Sequence, residues 1–158
     1  MTVRLAGGHR VEAIEAVVRD VPGVQRAEAW IPARGALAQP DGTLGNVFQI
    51  LSPPASSDLI AFRPIARRWL RDGDANGIVV SRALLRQEPN VALDSAITVV
   101  VDGRATTWTV IGIVDGGPTP SAWTTRGAAA AFKATDTGQA YRSCEGRHSL
   151  AAHSTKAP

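Results

Sequence analysis

Asp72, Asp74 and Asn76 stand at alternate positions ahead of Gly77, with the apolar Val79 two residues further on. That order opens a calcium loop of the EF-hand type, which presents oxygen ligands at its first, third and fifth positions. The twelfth position, where the loop needs a bidentate glutamate, is Ala83. Without those two oxygens the segment reads as a polar turn between a helix and a buried strand. Its glycines at 73 and 77 bend the chain, and its aspartates accept backbone N–H groups. Calcium is expected to bind no tighter than about millimolar, the weak end for such loops. Cys144, His148 and His153 offer three soft ligands, but their spacing fits no zinc pattern and a fourth ligand is not evident. No metal site is assigned.

A second cluster is cationic. Arg63, Arg67, Arg68 and Arg71 surround Trp69, a combination that can bind an anionic partner or a lipid headgroup, or can form a solvated helix face. Catalytic motifs are missing. The chain has no Gly-x-x-x-x-Gly-Lys-Ser/Thr loop to cradle phosphates, no Gly-x-Gly-x-x-Gly opening a helix and no Gly-x-Ser-x-Gly elbow. It is therefore expected neither to bind nor to hydrolyse ATP, to need no cofactor, and not to be an enzyme. The net charge of +3 comes from 17 basic and 14 acidic residues spread along 158 positions, which argues against nucleic acid as a partner. One cysteine excludes an internal disulfide. The longest apolar runs are a few residues, too short to span a membrane, and no signal peptide is recognisable at the start.

The elements that position these residues centre on 96–114. Two runs rich in β-branched residues flank Asp102-Gly103, the dipeptide of a type I′ hairpin turn. Pairing Val101 with Arg104 sets Ile97 opposite Trp108, Val99 opposite Thr106 and Val100 opposite Ala105. Trp108, Val110 and Val114 then share a side with Ile97, Val99 and Val101, while Ile111 and Ile113 face the other way. A strand apolar on both faces belongs inside a sheet. Upstream, residues 3–6 suit a short strand, and 9–20 a helix with the stripe Val11, Ile14, Val17, Val18 and Val21 and an i,i+4 pair of Glu15 with Arg19. Val24–Ile31 reads as a strand on which Trp30 is either a surface aromatic or a cover for the sheet's second face, its size favouring the cover. Residues 36–39 and 44–51 flank Pro40-Asp41-Gly42 as a second hairpin. Ile78-Val79-Val80 is a buried strand, Ser81 an N-cap, and 82–88 two helical turns ended by Pro89. Thr124 or Thr125 caps an alanine-rich helix through Phe132. The fold class is α+β: a mixed, largely antiparallel sheet with a central hairpin at 97–114 and an N-terminal amphipathic helix packed on it. Residues 1–138 form the domain, and 139–158 a poorly structured tail.

Four runs in this order resemble the extracytoplasmic domain of MacB/FtsX-like ABC transporter permeases: Arg68-Trp69-Leu70-Arg71-Asp72-Gly73-Asp74, Gly77 through Leu85, Ile97 through Arg104, and Trp108 through Val114. The opening Asp20-Val21-Pro22-Gly23-Val24 and Ala27-Glu28-Ala29-Trp30 fit the same domain, so the resemblance covers roughly 3–135. Two positions depart from it. Arg67 stands where the family usually has glycine, and Asp94-Ser95 where it usually has Gly-Asp. The resemblance implies a non-catalytic domain on the outer face of the cell membrane, carried between transmembrane helices and driven by a separate cytoplasmic ATPase. It also implies an envelope lipoprotein, peptide or lipid as substrate or partner. A free-standing binding module using Arg63, Arg67, Arg68, Trp69 and Arg71 is the alternative reading, and a small hydrolase a weaker one.

Overall fold

The computed structural model describes residues 2–4, 11–24, 27–57, 59, 62–129, 132 and 141–143. In chain order these form β1 (Thr2–Arg4), α1 (Val11–Arg19), β2 (Glu28–Leu37), β3 (Phe48–Ser52), β4 (Pro64–Arg67) and β5 (Gly77–Ser81). They continue as α2 (Arg82–Gln87), β6 (Ala96–Val101), β7 (Arg104–Val114), β8 (Ser121–Trp123), α3 (Arg126–Ala129) and β9 (Tyr141–Ser143). The central hairpin has the expected register, from Val101 opposite Arg104 to Ile97 opposite Trp108. Its turn residues Asp102 and Gly103 have φ of 48° and 78°, the two left-handed positions that a type I′ turn requires.

The sheet closes on itself. β2 pairs β3, β3 pairs β8, β8 pairs β5, β5 pairs β7, β7 pairs β6, and β6 returns to β2. Most of these ladders are antiparallel; β3 with β8 and β5 with β7 are parallel. Every strand of the ring sends side chains to one interior, among them Phe48, Ile50, Ile78, Val99, Trp108 and Val110. Leu84 of α2 joins them, and Phe132 stacks on Trp108 with ring centroids 4.8 Å apart. A ring removes the open edges that a flat sheet of this size would leave.

β7 is long enough to serve three neighbours. Thr109 pairs with both β6 and β5, and residues 112–114 with both β5 and β4, so β4 follows β6 along one edge of β7. Opposite β5, Ile78 partners Val110 but Val79 partners Gly112, which leaves Ile111 as the extra residue of a β-bulge. That slip corrects the expected facing. Beyond the bulge, Ile113 packs on the ring interior, while Val114 joins Leu70, Val79 and Trp123 in a second core, because one inserted residue exchanges the two faces of a strand. The second core lies on the other face of the ring wall, under residues 62–70.

Other expectations are corrected as well. The stretch before Trp69 is not a helix: Pro64–Arg67 is strand β4, filling the edge of β7 that β6 leaves vacant beyond Ala96. Residues 24–31 and 36–39 are not separate strands, because β2 runs unbroken from Glu28 to Leu37. Gly35 permits this, since a Cβ there would come within 2.9 Å of the Ile50 and Val99 side chains. Trp30 is buried, as the cover reading expected. The helix α1 forms, but its stripe does not lie flat on the sheet: Val17 and Val21 are 68% and 49% exposed. Glu15 explains this. Its carboxylate accepts from the Ala29 N–H at 3.1 Å and from Arg126 at 3.2 Å, and a residue two positions on points about 200° away around a helix. The side chains of Val11 and Ile14 lie outside the described residues, as do Cys144, His148 and His153. Within the expected tail, Tyr141–Ser143 forms β9, paired with both β1 and β2; the rest of 139–158 lies outside the described residues.

Candidate functional site

The loop after β4 is folded by one guanidinium. Arg68 reaches both oxygens of Asp74, at 2.7 and 2.8 Å, and the same carboxylate accepts the Arg71 N–H at 2.8 Å. Such a bidentate, charge-assisted pair favours both ionised forms. Its hydrogen bonds hold the Asp74 carboxyl below the usual carboxylate range and raise the Arg68 guanidinium above its own. Two of the oxygens that the calcium-like spacing had suggested therefore serve Arg68, and Thr125 fastens the turn by donating to the Asp74 carbonyl at 3.2 Å. The other end of that threonine's service is the cap of α3, where its Oγ1 accepts from Ala128 N–H at 3.1 Å.

The cationic cluster is not a single patch. Arg63 and Arg71 are exposed. Arg67 pairs with Asp94, and both residues have left-handed backbones, φ 59° and 61°. Trp69 turns inward, with its ring centroid 5.4 Å from Phe62 and 5.9 Å from Trp123, and Phe62 lies 4.8 Å from Trp123. It is an aromatic of the second core rather than a surface anchor. Arg67, Arg68, Asp94 and Ile111 do come together, lining an open depression of about 380 Å3. Arg67 and Asp94 are the two departures from the permease pattern. Each occupies a backbone position that glycine takes without strain, but nothing in the sequence linked the two.

A third region is the hairpin expected about Pro40-Asp41-Gly42, where Ala38 bridges Leu44; its exposed apolar tip and its anchor were not foreseen. The bend between β2 and β3 leaves Leu44 57% and Val47 65% exposed. It is held by Glu88, a buried carboxylate after α2 that accepts from Gln39 Nε2 at 2.8 Å and from Asn46 N–H at 3.1 Å. This bend lies at the far end of β2 from β9. The ten residues of β2 span roughly 33 Å at a strand's rise. At the near end β1 and β9 lie side by side, Thr2 opposite Ser143.

The fold as a whole is similar to that of extracytoplasmic domains of ABC transporter permeases. The extracellular domain of the noncanonic ABC-type transporter YknZ from Gram-positive bacteria superposes with a TM-score of 0.64 at 11% identity, over 94% of this chain and 85% of that one. The periplasmic region of MacB from Actinobacillus actinomycetemcomitans gives 0.61 at 12% identity, over 94% and 76%. A domain of a putative permease protein from Porphyromonas gingivalis gives 0.53 at 16%, over 94% and 75%. No family model matches the chain, and no curated protein matches it.

Proposed function

We propose that this chain is the extracytoplasmic domain of an ABC transporter permease, carried between two transmembrane helices and coupling their motion to an envelope lipoprotein, peptide or lipid. A separate cytoplasmic ATPase supplies the energy, and the domain itself is not catalytic. The observation that carries the reading, beside the shared fold, is the pairing of β1 with β9. Paired antiparallel strands stand about 5 Å apart and packed helices about 8–10 Å apart, so strands that enter and leave as neighbours suit attachment to two adjacent membrane helices. No helix among the described residues is long and apolar enough to cross a membrane itself. The bend with Leu44 and Val47, at the opposite end, faces the envelope.

The test is made in the full reading frame that contains the chain. A topology reporter fused after Ser143 is expected to be active outside the membrane, and a cysteine placed at Val47 to react with an impermeant thiol reagent in intact cells. A reporter active only in the cytoplasm, or a frame with no membrane helix on either side, sinks the proposal. Leu44→Asp with Val47→Asp is then expected to lower transport at least severalfold while the purified domain keeps its stability.

A further inference from the structure

We propose that residues 63–70 form a strap that opens as a unit from the second core, with the Arg67–Asp94 ion pair as its latch. β4, the middle of this segment, is weakly held. Among the described residues it pairs with β7 alone; it begins on a proline that can donate no hydrogen bond, and loses register between Pro64 and Ala66. Its burial is slight, with Ile65 47% exposed. The hairpin next to it on the same edge of β7 keeps a continuous register from Ala96 to Val101.

The latch itself is poised rather than firm. It joins β4 to the turn at Ala92–Ser95, where Ser95 N–H donates to the Ala92 carbonyl and Asp94 is the third residue. Both partners are non-glycine residues with left-handed backbones, which persist only where surroundings hold them. Their ion pair is exposed, 60% and 56% by side chain, and exposed pairs contribute little. An open depression lined by Arg67, Arg68, Asp94 and Ile111 borders the latch. The Arg68–Asp74 pair ties the end of the strap to a turn that Thr125 fastens, which makes that end the hinge rather than the latch. Closure is driven by burying Trp69 and Leu70 against Trp123, beside Phe62, and opening uncovers that aromatic face on the outside of the ring wall.

Amide hydrogen exchange on the intact chain reads this directly. The amides of Ile65–Leu70 are expected to exchange faster than those of Ile97–Val101. Asp94→Asn removes the charge while keeping a residue that accepts a left-handed backbone. It is expected to speed the strap amides about two- to fivefold, the scale of an exposed ion pair, and to leave the hairpin unchanged. Arg67→Gln should match it, the double variant should add nothing further, and 0.5 M salt should reproduce the effect in the parent chain but not in Asp94→Asn. Strap and hairpin amides that exchange at one rate, or that shift together in either variant, would mean that the segment opens only by global unfolding. Variants and salt that leave the strap rates unchanged would remove the latch.

Discussion

A Cβ at position 112 would collide with the carbonyl oxygen of Arg68, so making room for it means pushing the strap backbone off β7. Gly112→Ala is therefore expected to cost more than about 2 kcal/mol, the scale of overpacking in a filled interior, and to lower the urea midpoint accordingly. Asp74 governs a pH effect. Its folded-state pKa is depressed, chiefly by the Arg68 hydrogen bonds, so its stabilisation is complete above the ordinary value of 3.8 and is lost as pH falls through the lowered one. Asp74→Asn should destabilise the domain at neutral pH by about 1.5–3 kcal/mol, as for a hydrogen bond to a charged group. It should also flatten the acid limb of a stability-versus-pH curve below about pH 4; an unchanged limb would show that another carboxylate controls it. Asp94→Gly tests strain against charge. Relief of a left-handed residue is worth about 1 kcal/mol or more, which exceeds an exposed ion pair, so this variant should melt higher even while its strap amides exchange faster.

Among the elements, the central hairpin and the start of α2 were legible in the sequence because their determinants are local. Asp102-Gly103 specifies a turn and therefore a register, and no distant residue can alter that pairing without leaving the turn. Gly103→Ala should cost about 1 kcal/mol at its φ of 78°. Ser81 was readable as a cap for the same reason, but its second duty was not. Its buried Oγ accepts from Leu84 N–H at 3.1 Å and also from Ser121 N–H at 3.0 Å, forty residues away. Ser81→Ala is expected to cost about 2–3 kcal/mol, above an ordinary cap, since it strands two buried donors; a loss within the ordinary cap range, measured by chemical denaturation, would show that Ser121 finds another acceptor. β4 illustrates the opposite case. Its sequence, arginine-rich around Ile65 and Trp69, has a spacing compatible with a helix face, and the vacancy on the edge of β7 decided for a strand.

At the scale of the whole molecule, closure of the ring couples distant segments. β6 is paired on both sides, to β7 and to β2, so thermal unfolding followed by tryptophan fluorescence and by far-UV circular dichroism is expected to give coincident transitions. Separate transitions would mean that the second core, which holds Trp69 and Trp123, melts apart from the ring. The sequence by itself determined the features encoded within a few residues of one another: the hairpin register, the cap at Ser81, a cap at Thr124 or Thr125, the turn at Asp72–Gly77, and the order of motifs that resembles a permease domain. Tertiary structure alone decided the rest. The bulge at Ile111 moved Val114 to the second core, the ring closed through β6 and β2, Trp69 turned inward, and Arg67 found Asp94 twenty-seven positions away. Hydrogen-bond edges and ion-pair partners across such distances are chosen by which backbone is left unpaired and which charge is brought near. Those quantities exist only once the chain has folded.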